Sequence, residues 1–300
     1  MKIFSLKTYL MTGLALSLLN ACKDPSYPDA TPATGPSTES ANVTVINTSP
    51  DAPTLNALVN NTQIGSSISF NQATGYQVVP VGANQVKASA ASGTIGGVIG
   101  SGSIVYRTTT TGQTNFTFNN AGNYTFIITD TLTRPKPTVT SGTNPGGPQF
   151  IVITDNLSAP AAGKAGVRFL NMAPNAQQID LIDLSTGNSI FPTTKSVTNS
   201  STGNSTTLTN YQARNFRELT RATTVNKESF SSSITGFTAV TAGAYSFEIR
   251  NNGTPATGTH AITPVDFDVT LVAGKLYTIY LAGKVGSSTS PLTASVVTHN

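Results

Sequence analysis

The chain matches itself in three collinear blocks, and a duplication of that kind restricts the fold to two related modules in tandem. Residues 41–58 (ANVTVINTSPDAPTLNAL) align without gaps on 165–182 (AGVRFLNMAPNAQQIDLI) at an offset of 124. Thr74-Gly75-Tyr76, Val79 and Gly82-Ala83 then match Thr235-Gly236-Phe237, Val240 and Gly243-Ala244 at an offset of 161. A third block pairs Ala121-Gly122 and Tyr124-Thr125 with Ala273-Gly274 and Tyr277-Thr278. The rise from 124 to 161 puts 37 extra residues into the second copy between the first two blocks. The copies run over 41–156 and 165–300, joined by a small-residue linker at 157–164, and the insertion lies near 191–229.

Within each copy the pattern is one of short strands between turn residues. Val43, Val45 and Asn47 alternate with Thr44 and Ile46, and residues 55–59 read as extended. Residues 78–81 lead through Gly82-Ala83-Asn84 into a strand at 86–90. The segments 124–129 (YTFIIT) and 277–282 (YTIYLA), rich in β-branched and aromatic residues, are the clearest strands, and 150–154 and 294–298 close the copies. No long amphipathic helix is evident. The expectation is an all-β chain, two tandem Ig-like antiparallel β-sandwiches after a signal peptide and a Pro-rich tether. With a single cysteine no disulfide can staple either module, so each needs its own apolar core.

The segment Asn47-Thr48-Ser49-Pro50-Asp51-Ala52-Pro53, followed by Leu55-Asn56-Ala57, resembles the H-A-S-P-D-A-P-x-V-D-V opening of the DUF4397 family. Gly75-Tyr76 through Pro80-Val81-Gly82 is similar to that family's G-Y-x-x-V-P-A-G turn. Asn47 replaces the family's leading His, and Asn56 its second Asp. In the second copy the motif has decayed to Met172-Ala173-Pro174-Asn175-Ala176-Gln177, while Asp180 keeps the second acid. The resemblance implies a sandwich domain of the kind carried on exported bacterial lipoproteins, and brings no activity with it. Read residue by residue, Ser49, Pro50, Asp51 and Pro53 form a structural turn between two strands: the prolines fix φ, and Ser49 or Asp51 accepts backbone N–H groups.

At the N-terminus Lys2 and Lys7 precede an apolar stretch at 9–19 (YLMTGLALSLL), Leu19-Asn20-Ala21 and the lone Cys22. That stretch is too short to span a bilayer, which takes about 20 apolar residues. Residues 1–21 are expected to be a lipoprotein signal peptide, with Cys22 the lipidated residue, and the tripeptide resembles a lipobox with Asn20 in place of a smaller residue. Residues 22–40, punctuated by Pro25, Pro28, Pro32 and Pro36, form an extended tether. Lys23-Asp24 after the cysteine lacks an acid in first place, which points to the outer membrane, on its periplasmic or surface side. Loss of Lys2 and Lys7 with the signal lowers the net charge of +4 to +2, so nucleic acid is not an expected partner.

Chemistry is sparse. The two histidines, His260 and His299, have no partner at metal spacing; there is no Gly-x-Ser-x-Gly elbow; and the glycine run at 93–102 (GTIGGVIGSG) lacks the lysine of a phosphate loop. No enzyme, metal or cofactor is expected. Asp266 and Asp268, two apart in a strand, share one face and read as solvated. In the insertion, 191–208 reads as a loose Ser/Thr/Asn loop. Beyond it Arg214, Arg217 and Arg221 fall at helical spacing with Tyr211 and Phe216 alongside, a candidate contact surface for an acidic glycan, a lipid headgroup or an envelope protein if a short helix forms. The expected function is non-catalytic binding or adhesion at the outer membrane through a lipid anchor, with a structural spacer or assembly subunit as the alternative.

Overall fold

The computed structural model describes residues 39–95, 102–108, 113–135, 146–253 and 265–299, all within one compact unit. The signal segment, Cys22, nearly all of the tether, the centre of the glycine run and His260 lie outside the described residues. The first copy comprises β1 (Ser40–Asn47), β2 (Leu55–Val59), β3 (Thr62–Ile68), β4 (Gln77–Pro80), β5 (Gly82–Ala90), β6 (Ser103–Val105), β7 (Asn115–Phe118), β8 (Asn123–Thr129) and β9 (Gln149–Thr154). The second comprises β10 (Lys164–Asn171), β11 (Ile179–Asp183), β12 (Asn188–Ser189), β13 (Lys195–Thr198), β14 (Ser205–Leu208), β15 (Thr220–Val225) and β16 (Glu228–Ser233). It continues through β17 (Thr238–Thr241), β18 (Gly243–Asn251), β19 (Val265–Leu271), β20 (Leu276–Ala282) and β21 (Thr293–Thr298). Every described element is a strand; the fold is all-β.

Each copy is a sandwich of two sheets, and the two repeat one topology. The sheet β4-β1-β8-β9 corresponds strand for strand to β17-β10-β20-β21. In both, the middle ladder is parallel (β1 with β8, β10 with β20) and its neighbours are antiparallel. Registers repeat too: Ala41 faces Val79 as Ala165 faces Val240, which are the two sequence offsets expressed as hydrogen bonds. The second layer is β3-β2-β5-β6, with β7 beside β5, in the first copy and β12-β11-β18-β19 in the second. Tyr124 and Tyr277 brace equivalent corners, each phenol accepting a backbone N–H from five residues upstream, Asn119 at 3.1 Å and Val272 at 3.0 Å. Where the chain passes from β4 to β5, the Asn84 amide donates to the carbonyls of Pro80, Val81 and Gly82, and Gly82 takes a φ of 88° that a Cβ would strain.

Alternation explains the two separate cores. Val43, Val45, Phe126 and Ile128 point into the first sandwich, where Leu55, Val86, Ile104 and Phe118 meet them. Val167, Phe169, Ile279 and Leu281 do the same in the second, against Leu181, Phe247 and Ile249. The intervening residues of the same strands make a third core. Ile46, Ile127 and Ile153 of the first copy pack on Leu170, Met172, Tyr280 and Ala282 of the second. The sheets holding β1 and β10 are therefore inner sheets, covered on both faces, which is why YTFIIT and YTIYLA are continuous apolar runs rather than alternating ones.

The insertion departs from expectation. Residues 195–208 form a hairpin of β13 and β14 rather than a loose loop, and β15 and β16 form a second hairpin turning on Asn226-Lys227, both at positive φ. Val197, Leu208 and Phe230, with Tyr211 against them, supply a small core that a bare polar loop would lack. The short helix that the arginine spacing would allow does not form. Asn210 and Arg217 adopt left-handed φ of 49° and 58°, and bridges tie Arg214 to Ile179 and Phe216 to Asn171, so the segment is stretched across the second sandwich.

Candidate functional site

The most chemically organised region is the polar end of the joint between the inner sheets. Arg168, in the middle of β10, is fully buried, and its Nη1 donates to Asp155 Oδ1 at 2.7 Å from a carboxylate that is also fully buried. Asp155 follows β9; its other oxygen accepts from Thr125 Oγ1 at 2.6 Å and Tyr76 Oη at 2.8 Å. Arg168 Nε donates to Thr278 Oγ1 at 3.0 Å. The Tyr76 phenol proton is already given to Asp155, so the ring nitrogen facing Tyr76 must carry the imidazole proton, and the neutral ring leaves His299 Nε2 bare to accept from Thr278 Oγ1 at 2.6 Å. Nδ1–H then donates to Tyr76 Oη at 3.1 Å. The Phe237 ring closes the cluster, 4.7 Å from the Arg168 guanidinium and 5.5 Å from the imidazole.

Every member has a counterpart in the other copy. Backbone equivalence pairs Tyr76 with Phe237, Thr125 with Thr278 and Asp155 with His299; Asp155 N–H bonds Asn123 O as His299 N–H bonds Leu276 O. Arg168 corresponds to Thr44, whose buried hydroxyl has no hydrogen-bond partner. The joint is thus a pseudo-symmetric contact made chemically asymmetric. Burial, reinforced by the Arg168 charge and only partly offset by Asp155, pushes the His299 imidazole down to about 4, and burial followed by the Asp155 charge pushes the Tyr76 phenol well above its ordinary range. Sequence reasoning missed this site. Its signal was a lone arginine inside the apolar strand AGVRFLN.

The five residues singled out in the insertion do not converge on solvent. Arg214 is buried and donates to the carbonyls of Phe169, Tyr211 and Ala213, its guanidinium pushed down to about 10 by burial. It lies over the rings of Phe191 and Tyr211. Arg217 pairs with Asp130 of the first copy at 3.0 Å and sits over Phe216. Arg221 pairs with Glu218 and donates to the carbonyls of Asn210 and Ala213. Burial disfavours the Glu218 charge, yet the bonds from Arg221 and Asn215 together hold that carboxyl below its usual range. Tyr211 Oη donates to Ser233 O. These contacts bind the insertion to the sandwiches and leave Arg214 out of reach of a ligand.

Residues 41–182 match the family model for a domain of unknown function, DUF4397, covering the first sandwich and the first two strands of the second. This region belongs to the DUF4397 family. No curated protein is significantly similar to the chain. In the DUF4397 opening, Asp51 Oδ1 accepts Leu132 N–H at 2.9 Å, Ser49 Oγ donates to Asp130 O at 2.7 Å, and the Asn47 amide oxygen accepts Ser49 N–H at 3.2 Å. The motif therefore stitches the β1–β2 connection to the residues after β8, and Pro50 O accepts from Ser290 Oγ of the other sandwich.

Away from the joint, the outer sheet of the second sandwich carries an open groove of about 520 Å³ where β18 and β19 pass the turn after β11. Asp183, Ser185, Tyr245, Ser246, Asp268 and Thr270 line it. Asp268 accepts from Ser246 Oγ at 2.5 Å, and Asp183 accepts from the Ser185 N–H and hydroxyl. Asp266 and Asp268 are both exposed on β19. Among the described residues, no group of three or more His, Cys, Asp or Glu side chains is placed to hold a metal ion, and no helix is long and apolar enough to cross a membrane.

Proposed function

We propose that the chain is a non-catalytic lipoprotein, anchored to the outer membrane through Cys22, that presents two DUF4397-type sandwiches for binding or adhesion. The observation carrying this reading is the disposition of surfaces. The inner sheets are consumed by each other, so the outer sheets and the insertion are what the molecule offers, and the groove beside Asp268 is a concave part of that surface. Its carboxylates and hydroxyls beside the Tyr245 ring, Ala244 and Val269 offer both the polar and the apolar contacts that a glycan uses. A glycan array probed with the soluble chain tests this: saturable binding that Asp268→Ala weakens tenfold or more supports it, and no bound glycan refutes it.

A second reading, a spacer or assembly subunit of an envelope complex, draws on the buried joint, which makes two modules into one stiff body. Pull-downs that recover only envelope proteins, unaffected by Asp268→Ala, favour it. Mass spectrometry of the cell-derived chain tests the anchor separately: a diacylglycerol-modified Cys22 at the mature N-terminus is the expected result.

A further inference from the structure

We propose that His299, Arg168 and Asp155 form an acid-sensitive latch: protonation of His299 parts the two inner sheets while each sandwich stays folded. The argument is one of valence. With His299 neutral, each polar group in the cluster has a complementary partner: Nε2 accepts from Thr278, Nδ1–H donates to Tyr76, and Tyr76, Thr125 and Arg168 all donate to Asp155. A second ring proton breaks this arrangement. It would be placed on Nε2, where Thr278 would have to turn its own proton away and accept a second bond, with the Arg168 Nη2 cation only 3.4 Å away.

The groups facing the imidazole come from every element packed around it. Tyr76 precedes β4, Asp155 follows β9, Arg168 lies on β10, Thr278 on β20, and Phe237 precedes β17; Thr125 of β8 stands behind Asp155. Arg168 is the one cation in this set and Asp155 the one anion, and Asp155 is already engaged by three donors. An imidazolium here is a second buried cation beside Arg168, and the single carboxylate of the cluster, already taking three donors, would have to serve both. The depressed proton affinity of His299 agrees with this geometry. The sandwich cores themselves are apolar, so acid acts on the joint before it acts on the modules.

Met172 reports on the joint directly, being fully buried in the apolar part of the contact. The test is the rate of Met172 oxidation by hydrogen peroxide in the full chain, followed by peptide mass spectrometry from pH 7.5 to pH 3.5, with far-UV circular dichroism in parallel. The expected result is at least a tenfold acceleration on acidification with the strand spectrum retained, abolished in His299→Gln, which keeps a donor and an acceptor but cannot titrate in this range. An unaccelerated wild type, or acceleration of equal size and midpoint in the variant, overturns the proposal. Should His299→Gln prove open at neutral pH, ring NMR of a His260→Gln chain decides instead. A His299 protonation midpoint coinciding with the Met172 midpoint supports the latch, and midpoints more than one pH unit apart overturn it.

Discussion

The two sandwiches share a strand order, a parallel central ladder and a tyrosine corner, yet at the four equivalent pairs lining the polar end of their joint they have diverged three times out of four. Thr44 stands opposite Arg168 in the comparison, Tyr76 opposite Phe237 and Asp155 opposite His299, with only Thr125 and Thr278 alike. The shared features are those that make a sandwich; the differences are those that make the sandwiches a pair. Two copies of the first module would set carboxylate against carboxylate at this contact, and two of the second would set arginine against arginine without an anion. Only the mixed arrangement sets the Arg168 charge against an anion, at the expense of the Thr44 hydroxyl alone among these groups. The lesson is that duplication supplied a self-complementary face and substitution then made it specific for its sibling.

Converting first-copy residues into their second-copy counterparts breaks that comparison in graded steps. Asp155→His removes the only anion and leaves Arg168 uncompensated in a dry contact; chemical denaturation should show a loss of about 3–5 kcal/mol. Acid has the next largest effect without any mutation. Because the folded chain holds His299 at about 4 against an ordinary 6.5, the fold favours the neutral ring: this contribution is complete above about pH 6.5, falls as pH drops through that window, and is exhausted near pH 4. At ~1.4 kcal/mol per pH unit that is about 3 kcal/mol, visible as a fall in denaturation midpoint that His299→Gln lacks. Tyr76→Phe, which copies Phe237, withdraws one bond from Asp155 and one from His299; a loss of about 1–2 kcal/mol is expected by the same measurement. Asp51→Asn, which copies Asn175, retains an oxygen for the Leu132 N–H and should change stability by less than about 0.5 kcal/mol.

Much of the architecture was legible because duplication and burial both write regular patterns. The offsets of 124 and 161 reappear as identical registers of β1 on β4 and β10 on β17, and residues 55–59 are β2 as read. The Asp51 motif does lie between β1 and β2, but its carboxylate accepts the distant Leu132 N–H and Ser49 Oγ donates to Asp130 O, rather than bonding within the turn. What escaped notice was long-range. Strands 124–129 and 277–282 are recognisable by their β-branched and aromatic residues, but that both faces of each are covered is visible only beside the packed partner. His299 reads in the sequence only as a histidine without a partner at metal spacing, since neither Tyr76 nor Arg168 is near it in the chain. The insertion was misjudged for a different reason: its Ser and Thr are compatible with loop and hairpin alike, and the decision rests on Val197, Leu208 and Phe230 finding one another.

The parallel ladder between β1 and β8 has a mechanical consequence. It pairs six successive residues of β1, Asn42 to Asn47, with Asn123 to Ile128, and β1 is the strand into which the N-terminal segment runs at Ser40. Tension drawn along β1 from that end loads all the rungs in shear together, whereas a terminal hairpin would peel one rung at a time. A pull applied at Ser40 is thus met by a parallel ladder in shear.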